Sequence, residues 1–312
     1  MERVVHGVFA GGGIKGIALA GAAAGAMDSG YRFEQVVGTS SGSLVGSLVA
    51  AGYTADELAE AVMVVPWPEL ADPMPAARFP GLGKHLALAV GLGHNRGDKI
   101  ERVWRSLLKA KGVKTFGDLP PGALRMVSTD LTHQRGVVLP DQLAEYGTQA
   151  DRFSVARAVR MSCAVPFFFR PVQLRNLRTA EVSLFCDGAL TANFPLRVAP
   201  WDAEHPVVGF KFVDSLMPKA AKAINGPVSL VRAVVEASVR ASGTLRGSLM
   251  EKAMMVEIPA ERDPLDFNVS PVIARHLFDM GRSAAVAYFD QVEEVEALSH
   301  FRKPDPGALG HG

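Results

Sequence analysis

A serine with a glycine two residues to either side is the part of this sequence best suited to chemistry. The segment Gly38-Thr39-Ser40-Ser41-Gly42 has the G-x-S-x-G spacing of a nucleophile elbow, in which Gly38 and Gly42 permit a sharp turn from strand to helix. A hydroxyl presented by such a turn can attack a carbonyl carbon and form an acyl-enzyme. The alternative is an ordinary serine N-cap, in which Ser40 would only satisfy backbone N–H groups of the helix.

A nucleophilic serine needs a base, and the sequence offers two candidates. Asp187 follows an apolar run that is typical of a strand and precedes Gly188, although Asp-Gly is also a common turn pair. Functional groups of α/β sheets collect at the carboxyl ends of strands, where Ser40 must also lie, so we favour Asp187. His276 has the chain order of a triad histidine, but its surroundings predict the middle of an amphipathic helix.

A glycine-rich segment near the start of the chain is the second feature with potential for chemistry. Gly11-Gly12-Gly13-Ile14-Lys15-Gly16 matches G-x-G-x-x-G, but the next strand does not end in the acidic residue that dinucleotide binding requires. It also lacks the lysine that follows the last glycine of a Walker A loop. Consecutive glycines before a helix let backbone N–H groups converge on an oxyanion. We therefore expect Gly11, Gly12 and Gly13 to form an oxyanion hole, with nucleotide binding as the alternative.

Both turns connect a predicted strand to a predicted helix. Residues 4–10 and 33–37 are typical of buried strands, and helices are predicted after them at 17–27 and 43–51. Strands and helices continue to alternate, with a hairpin near 123–139, a long helix at 229–252 and a closing amphipathic helix at 272–299. The alternation predicts an α/β fold, specifically a three-layer α/β/α sandwich with a largely parallel central sheet.

Length and composition indicate one globular domain. The chain has 312 residues, of which 48% are hydrophobic and 21% charged, as in proteins that bury a large core. We assign residues 1–300 to a single domain and 301–312 to a C-terminal tail. The 33 basic and 32 acidic side chains leave no basic excess, which argues against a nucleic-acid partner.

The cysteines and the apolar segments exclude several further classes. Cys163 and Cys186 have no disulfide or zinc-site spacing, so we expect buried packing and neither a metal nor a cofactor. The apolar stretch 9–27 contains several glycines and Lys15, unlike an export signal. No uninterrupted apolar run is long enough to predict a membrane-spanning helix. We expect a cytoplasmic protein that is at most peripheral to a membrane surface.

Taken together, the motifs resemble those of the patatin-like phospholipase family. The resemblance covers residues 5–200 and depends on segments 11–16, 38–42 and Asp187-Gly188-Ala189 in that order. It implies a patatin-like fold and a serine acyl hydrolase that cleaves lipid or phospholipid esters through a Ser-Asp dyad, without histidine or cofactor. Lys15 occupies a position that is basic in the family, and Gly16, Gly38, Gly42 and Gly188 support the motifs. A non-catalytic lipid-binding protein is the alternative, against which the intact Ser40 and Asp187 count.

Residues 64–97 form a proline- and glycine-interrupted segment with scattered apolar side chains. Long irregular segments in compact domains are often functional, and tryptophan and phenylalanine settle readily at interfaces. We therefore interpret the segment as a lid that meets the lipid surface through Trp67 and Phe79. The alternative is an irregular connection whose apolar residues belong to the core.

Overall fold

The computed structural model describes residues 2–74, 92–213, 227–243, 248–259 and 262–301. The strands of the described part are β1 (Arg3–Phe9), β2 (Tyr31–Thr39), β3 (Gly93–Asn95), β4 (Leu124–Asp130), β5 (Arg135–Leu139), β6 (Phe167–Phe169), β7 (Val172–Arg175), β8 (Val182–Asp187), β9 (Val207–Phe212) and β10 (Met254–Ile258). Its α-helices are α1 (Gly16–Asp28), α2 (Ser41–Ala50), α3 (Ala55–Val64), α4 (Trp67–Leu70), α5 (Asp98–Ala110), α6 (Val155–Ser162), α7 (Ala189–Ala192), α8 (Pro227–Gly243), α9 (Ser248–Lys252) and α10 (Pro271–Phe301).

The central sheet has the strand order β10-β9-β1-β2-β4-β8-β7, and β5 pairs additionally with β4. The strands from β10 to β4 run parallel, whereas β8 is antiparallel to β4 and to β7. The hairpin of β4 and β5 is confirmed as an antiparallel pair. The sheet is therefore largely parallel, as predicted, and the carboxyl ends of β1 and β2 lie side by side.

Helix α1 lies buried between the sheet and α10, which explains its small residues. A Cβ atom added to Gly21 would lie 1.9 Å from the carbonyl oxygen of Phe278, and one added to Gly281 would lie 1.8 Å from that of Ala18. Only glycine permits two helix backbones to approach so closely. This packing fixes α1, and with it the glycine-rich segment that leads into the helix.

The opposite face of the sheet carries a second, smaller apolar cluster. Its buried members are Val8, Ala10, Val37, Phe194, Leu196, Ala199 and Val207. Since both faces of the sheet are covered, the predicted three-layer α/β/α arrangement is confirmed. Among the described residues, no helix combines the length and the apolar character that a membrane crossing requires.

Two other sequence predictions concern helices near the end of the chain. The closing helix is confirmed as α10. Of the predicted helix at 229–252, the structure describes α8 and α9 as helical, and residues 244–247 lie outside the described part. The assignment of residues 1–300 to one domain stays a prediction.

The predicted surface role of Trp67 is wrong. Its side chain is only 7% exposed, its indole N–H donates to the carbonyl oxygen of Val62 at 3.0 Å, and its ring meets that of Trp104 edge to face. The scattered apolar side chains of this segment could not distinguish an interface tryptophan from one that packs against α5. Phe79, with residues 75–91, lies outside the described part.

Candidate active site

Ser40 lies at the junction between β2 and α2, in a strained backbone conformation. Its φ of 52° and ψ of −120° fall in a region that residues with a side chain rarely adopt. Its hydroxyl caps no helix N–H group, so the interpretation of Ser40 as an ordinary N-cap is wrong. Such strain persists only where the surrounding structure enforces it, and it is concentrated at functional sites.

The two glycines of the G-x-S-x-G segment allow this turn because backbone atoms fill the space that their side chains would need. A Cβ atom on Gly38 would lie 2.3 Å from the carbonyl oxygen of Gly42, and one on Gly42 would lie 2.1 Å from that of Phe9. Any larger residue would push α2 away from β1 and β2. The spacing of the motif thus follows from the close approach of helix and sheet.

The Ser40 hydroxyl is hydrogen-bonded to Asp187. Its Oγ donates to Oδ2 of Asp187 at 2.6 Å, while Oδ1 accepts the backbone N–H of Ala189 at 2.8 Å. Both side chains are buried, with 5% of Ser40 and 2% of Asp187 exposed. The carboxylate is therefore held from both sides, with one oxygen directed at the serine.

Burial changes the acidity of Asp187. Removal of the carboxylate from water raises its pKa to about 6, while the hydrogen bonds from Ser40 and from the N–H of Ala189 act in the opposite direction. A carboxylate with this pKa is a stronger proton acceptor than an exposed aspartate and is still ionised at neutral pH. The pair has the geometry and the charge for removal of the serine proton.

A segment that the sequence analysis did not assign to the site, residues 162–164, connects the two halves. Ser162 Oγ accepts the N–H of Ser40 at 2.9 Å, and Cys163 Sγ donates to the Ser40 carbonyl oxygen at 3.2 Å. The carbonyl oxygen of Ala164 accepts the N–H of Asp187 at 2.9 Å. The segment thereby fixes the relative position of nucleophile and carboxylate. No catalytic motif or glycine motif in this segment marked it as part of the site.

The glycine-rich segment leaves β1 at Phe9 and enters α1 at Gly16, beside the elbow. The N–H of Gly11 donates to the carbonyl oxygen of Asn193 at 2.8 Å, so it is engaged within the protein. This contact corrects the prediction that Gly11 is an oxyanion donor, because a group bonded to the backbone cannot also bind the substrate without losing that bond. Gly12 and Gly13 remain the candidate donors.

Three further motif residues shape the surroundings of these donors. Lys15 places its Nζ 4.3 Å from the centre of the Phe212 ring, a cation–π contact at the end of β9. Gly16 lets α1 approach α2, since a Cβ atom there would lie 2.6 Å from that of Ser41. Gly188 follows Asp187 and faces the backbone of β4, where a Cβ atom would lie 2.1 Å from the Val127 carbonyl oxygen.

The other titratable candidates do not compete with Asp187. His276 is exposed on α10, and the carboxylate that contacts Ser40 belongs to Asp187. Cys163 and Cys186 are buried, as predicted, and burial raises the pKa of both thiols, helped by the negative charge of Asp187. Both cysteines stay protonated at neutral pH and are poor nucleophiles.

Comparison with known proteins connects this geometry to a family. The family model described as patatin-like phospholipase matches residues 7–200, a stretch that contains the elbow, the glycine-rich segment and Asp187. The chain belongs to the patatin-like phospholipase family. This membership supports lipid hydrolase activity.

Individual relatives of this patatin-like chain have no function in their names. The uncharacterized protein YqhO of Bacillus subtilis (strain 168) is 39% identical over 233 residues, which cover 74% of this chain and 79% of YqhO. The uncharacterized protein R571 of Acanthamoeba polyphaga mimivirus is 22% identical over 293 residues, or 90% of this chain and 92% of that protein.

Solved structures similar to this patatin-like chain include two bacterial proteins. VipD from Legionella pneumophila has a TM-score of 0.44 at 14% identity, with 93% of this chain and 67% of VipD covered. ExoU in its complex with SpcU from Pseudomonas aeruginosa has a TM-score of 0.47 at 17% identity, with 93% of this chain covered. The chain spans about half of that ExoU structure, 52% of its length.

Proposed function

We propose that this chain hydrolyses carboxylic esters of lipids or phospholipids, with Ser40 as the nucleophile and Asp187 as the general base. The observation that carries the proposal is the 2.6 Å hydrogen bond from the strained, buried Ser40 to a carboxylate whose pKa is raised to about 6. Family membership supplies the lipid substrate class. The activity is of the serine esterase or phospholipase A type.

In the first half of the reaction, Ser40 Oγ attacks the ester carbonyl carbon while its proton passes to Asp187. The tetrahedral intermediate collapses to an acyl-enzyme, and the alcohol leaves with the proton that Asp187 had taken. In the second half, Asp187 removes a proton from water, which attacks the acyl carbon. The fatty acid leaves, the proton returns to Ser40 Oγ, and no other reactant is needed.

The oxyanion of each intermediate needs hydrogen-bond donors, and the N–H groups of Gly12 and Gly13 are our candidates. They lie in the loop between β1 and α1, next to the strand end that carries Ser40. Loss of one such donor typically costs about 3 kcal/mol of transition-state stabilisation, so loop geometry matters as much as the dyad. The bond from Gly11 to Asn193 would anchor this loop to the segment that follows Asp187.

Contact with a lipid surface is part of the proposal, but it needs other residues than Trp67. Leu92 and Phe167 are 51% and 38% exposed, and β3 pairs with β6 at Gly93 and Phe167. The two apolar side chains therefore lie at the same end of the small β3–β6 sheet. We propose these two side chains, with the 69% exposed Val64 at the start of the segment 64–97, for entry into a lipid surface.

The alternatives weighed for the sequence gain less support. Strain at Ser40 counts against a non-catalytic lipid-binding protein, because binding alone gives no reason to hold a serine in a costly conformation. Nucleotide binding by the glycine-rich segment would require an acidic residue at the end of β2. That strand ends with Gly38 and Thr39.

Covalent trapping tests the proposal directly. A long-chain alkyl fluorophosphonate should form one adduct per chain, and mass spectrometry of the digest should locate it on Ser40. Prior incubation with micellar phospholipid should slow the labelling, since substrate and probe compete for one site. An adduct on Ser41 or elsewhere, or no adduct under conditions that label a known serine esterase, would contradict the assignment.

The pH dependence of turnover should report the ionisation of Asp187. Only the carboxylate accepts the serine proton, so kcat/KM for a soluble ester should be constant at neutral pH and fall about tenfold per pH unit below a midpoint near 6. His276→Ala serves as the control, because it should leave the midpoint unchanged. A midpoint near 4, typical of an exposed aspartate, would contradict the role of burial.

A further inference from the structure

A cluster of metal-ligating side chains lies away from the candidate active site. His6 is on β1, Glu34 on β2 and His205 just before β9. One ring nitrogen of each histidine and one carboxylate oxygen of Glu34 all lie within 4.8 Å of one another. These three residues, which we call the His6 cluster, come from separate parts of the chain and form no sequence motif.

Asp202 adds a second carboxylate to the His6 cluster. Its Oδ2 lies 2.7 Å from Nε2 of His6, and its Oδ1 lies 3.9 Å from Nδ1 of His205. His205 Nδ1 also lies 3.2 Å from Oε2 of Glu34. The two imidazoles and two carboxylates thus form a chain of contacts from Glu34 through His205 and Asp202 to His6.

The position of the cluster separates it from the ester-hydrolysis site. His6 pairs with Gln35 of β2 and with Val207 of β9, so the cluster spans three adjacent strands. Glu34 precedes Ser40 by six residues in the sequence, which is roughly 20 Å along an extended strand. A ligand bound there would not touch the Ser40 hydroxyl.

One of the two ring nitrogens of His6 has no partner in the described part of the chain. The side chain is completely buried, and its Nδ1 has no hydrogen-bond partner among the described residues. An unpaired polar atom in the interior destabilises the folded state, so a native protein usually supplies a partner. Since Nε2 of His6 contacts Asp202, Nδ1 is the ring nitrogen that remains available for a further partner.

We propose that His6, Glu34 and His205 bind a divalent transition-metal ion of the zinc class, with Asp202 as the adjoining carboxylate. Imidazole and carboxylate groups are the ligands that Zn²⁺ takes in proteins. Carboxylates that contact ligating histidines orient the rings and raise their affinity for metal. The ion cross-links β1 and β2 to the segment that leads into β9, so its role is structural. This inference does not depend on the proposed function.

The test uses the full chain without an affinity tag, stripped of metal by a chelator and dialysed. Zn²⁺ is titrated at pH 7.5 in competition with a chromophoric chelator, and melting temperatures are measured with and without the ion. Glu34→Gln and His205→Gln are the test variants, since both side chains are partly exposed and neither change disturbs the core. His133→Gln is the matched control, because His133 also contacts two carboxylates, those of Asp130 and Glu181.

We expect the wild type and His133→Gln to bind one Zn²⁺ per chain with equal affinity and to melt several degrees higher with Zn²⁺, because ligand binding to the folded state alone stabilises it. Glu34→Gln and His205→Gln should each bind at least about tenfold more weakly and lose the shift. Absence of saturable binding by the wild type would overturn the proposal, as would unchanged affinity in either test variant.

Discussion

Ser40→Ala should reduce kcat for a short-chain activated ester by about 10⁴-fold or more, because the hydroxyl is the only group proposed to form the acyl-enzyme. The fold should persist, since the elbow is held by backbone contacts to Ser162 and Cys163 that alanine retains. Initial rates measured against the same ester, with circular dichroism and a melting curve for each variant, would show both effects.

Ser41 provides the matched control for this experiment. Its hydroxyl is buried and has no hydrogen-bond partner among the described residues, so Ser41→Ala removes an unsatisfied polar atom. Turnover by Ser41→Ala should stay within about twofold of the wild type, the usual result for a residue outside the reacting groups. Wild-type turnover by Ser40→Ala, or an equal loss in both variants, would show that the elbow is not the nucleophile.

Asp187→Asn should reduce kcat by roughly 10²- to 10⁴-fold, the range for loss of a general base. An amide has nearly the same shape and can still accept the hydrogen bond from Ser40 Oγ, but it cannot take up the proton. Because KM depends mainly on binding contacts with the substrate and not on proton transfer, the loss should appear in kcat. Steady-state kinetics on one soluble ester would separate the two parameters.

The same substitution should not destabilise the protein at pH 8. The folded pKa of Asp187, about 6, lies above its ordinary value of 3.8, so its ionisation opposes folding. That opposition is absent at pH values below 3.8, grows as the pH rises, and is complete above about 6. Asparagine carries no charge, so the melting temperature of Asp187→Asn at pH 8 should equal or exceed that of the wild type.

His276→Ala is the control for the choice of base. His276 is exposed on α10, so the variant should keep turnover within about twofold of the wild type. If His276→Ala lost more activity than Asp187→Asn, the histidine-triad interpretation would replace the dyad.

Local features of the sequence were sufficient to predict the fold class and the position of the elbow. Buried strands, small-residue helices and glycine turns depend on neighbours within a few residues, so β1, α1, β2 and α2 could be predicted to within about three residues of their observed ends. The glycines at 38 and 42 predicted the sharp turn for the same reason. The order of the motifs then predicted the family.

The sequence favoured Asp187 as the base for Ser40, but only the tertiary structure shows how the two side chains meet. Ser40 and Asp187 are 147 residues apart in the sequence, and their contact depends on the strand order that puts β2 and β8 on either side of β4. The hydrogen bond from the Ser40 N–H to Ser162 and the one from the Gly11 N–H to Asn193 also join segments that are distant in sequence. No local pattern encodes such contacts.

The burial of Trp67 and the grouping of the His6 cluster could not be predicted from the sequence either. Tryptophan is a residue type that often lies at interfaces. Whether Trp67 is exposed or covered by α5 depends on how α4 packs against α5. The His6 cluster combines β1, β2 and the segment before β9, so its residues have no spacing that could mark them as ligands. Local chemistry follows from neighbours in the chain, whereas ligand sets and buried partners follow from the register and order of strands that are remote in sequence.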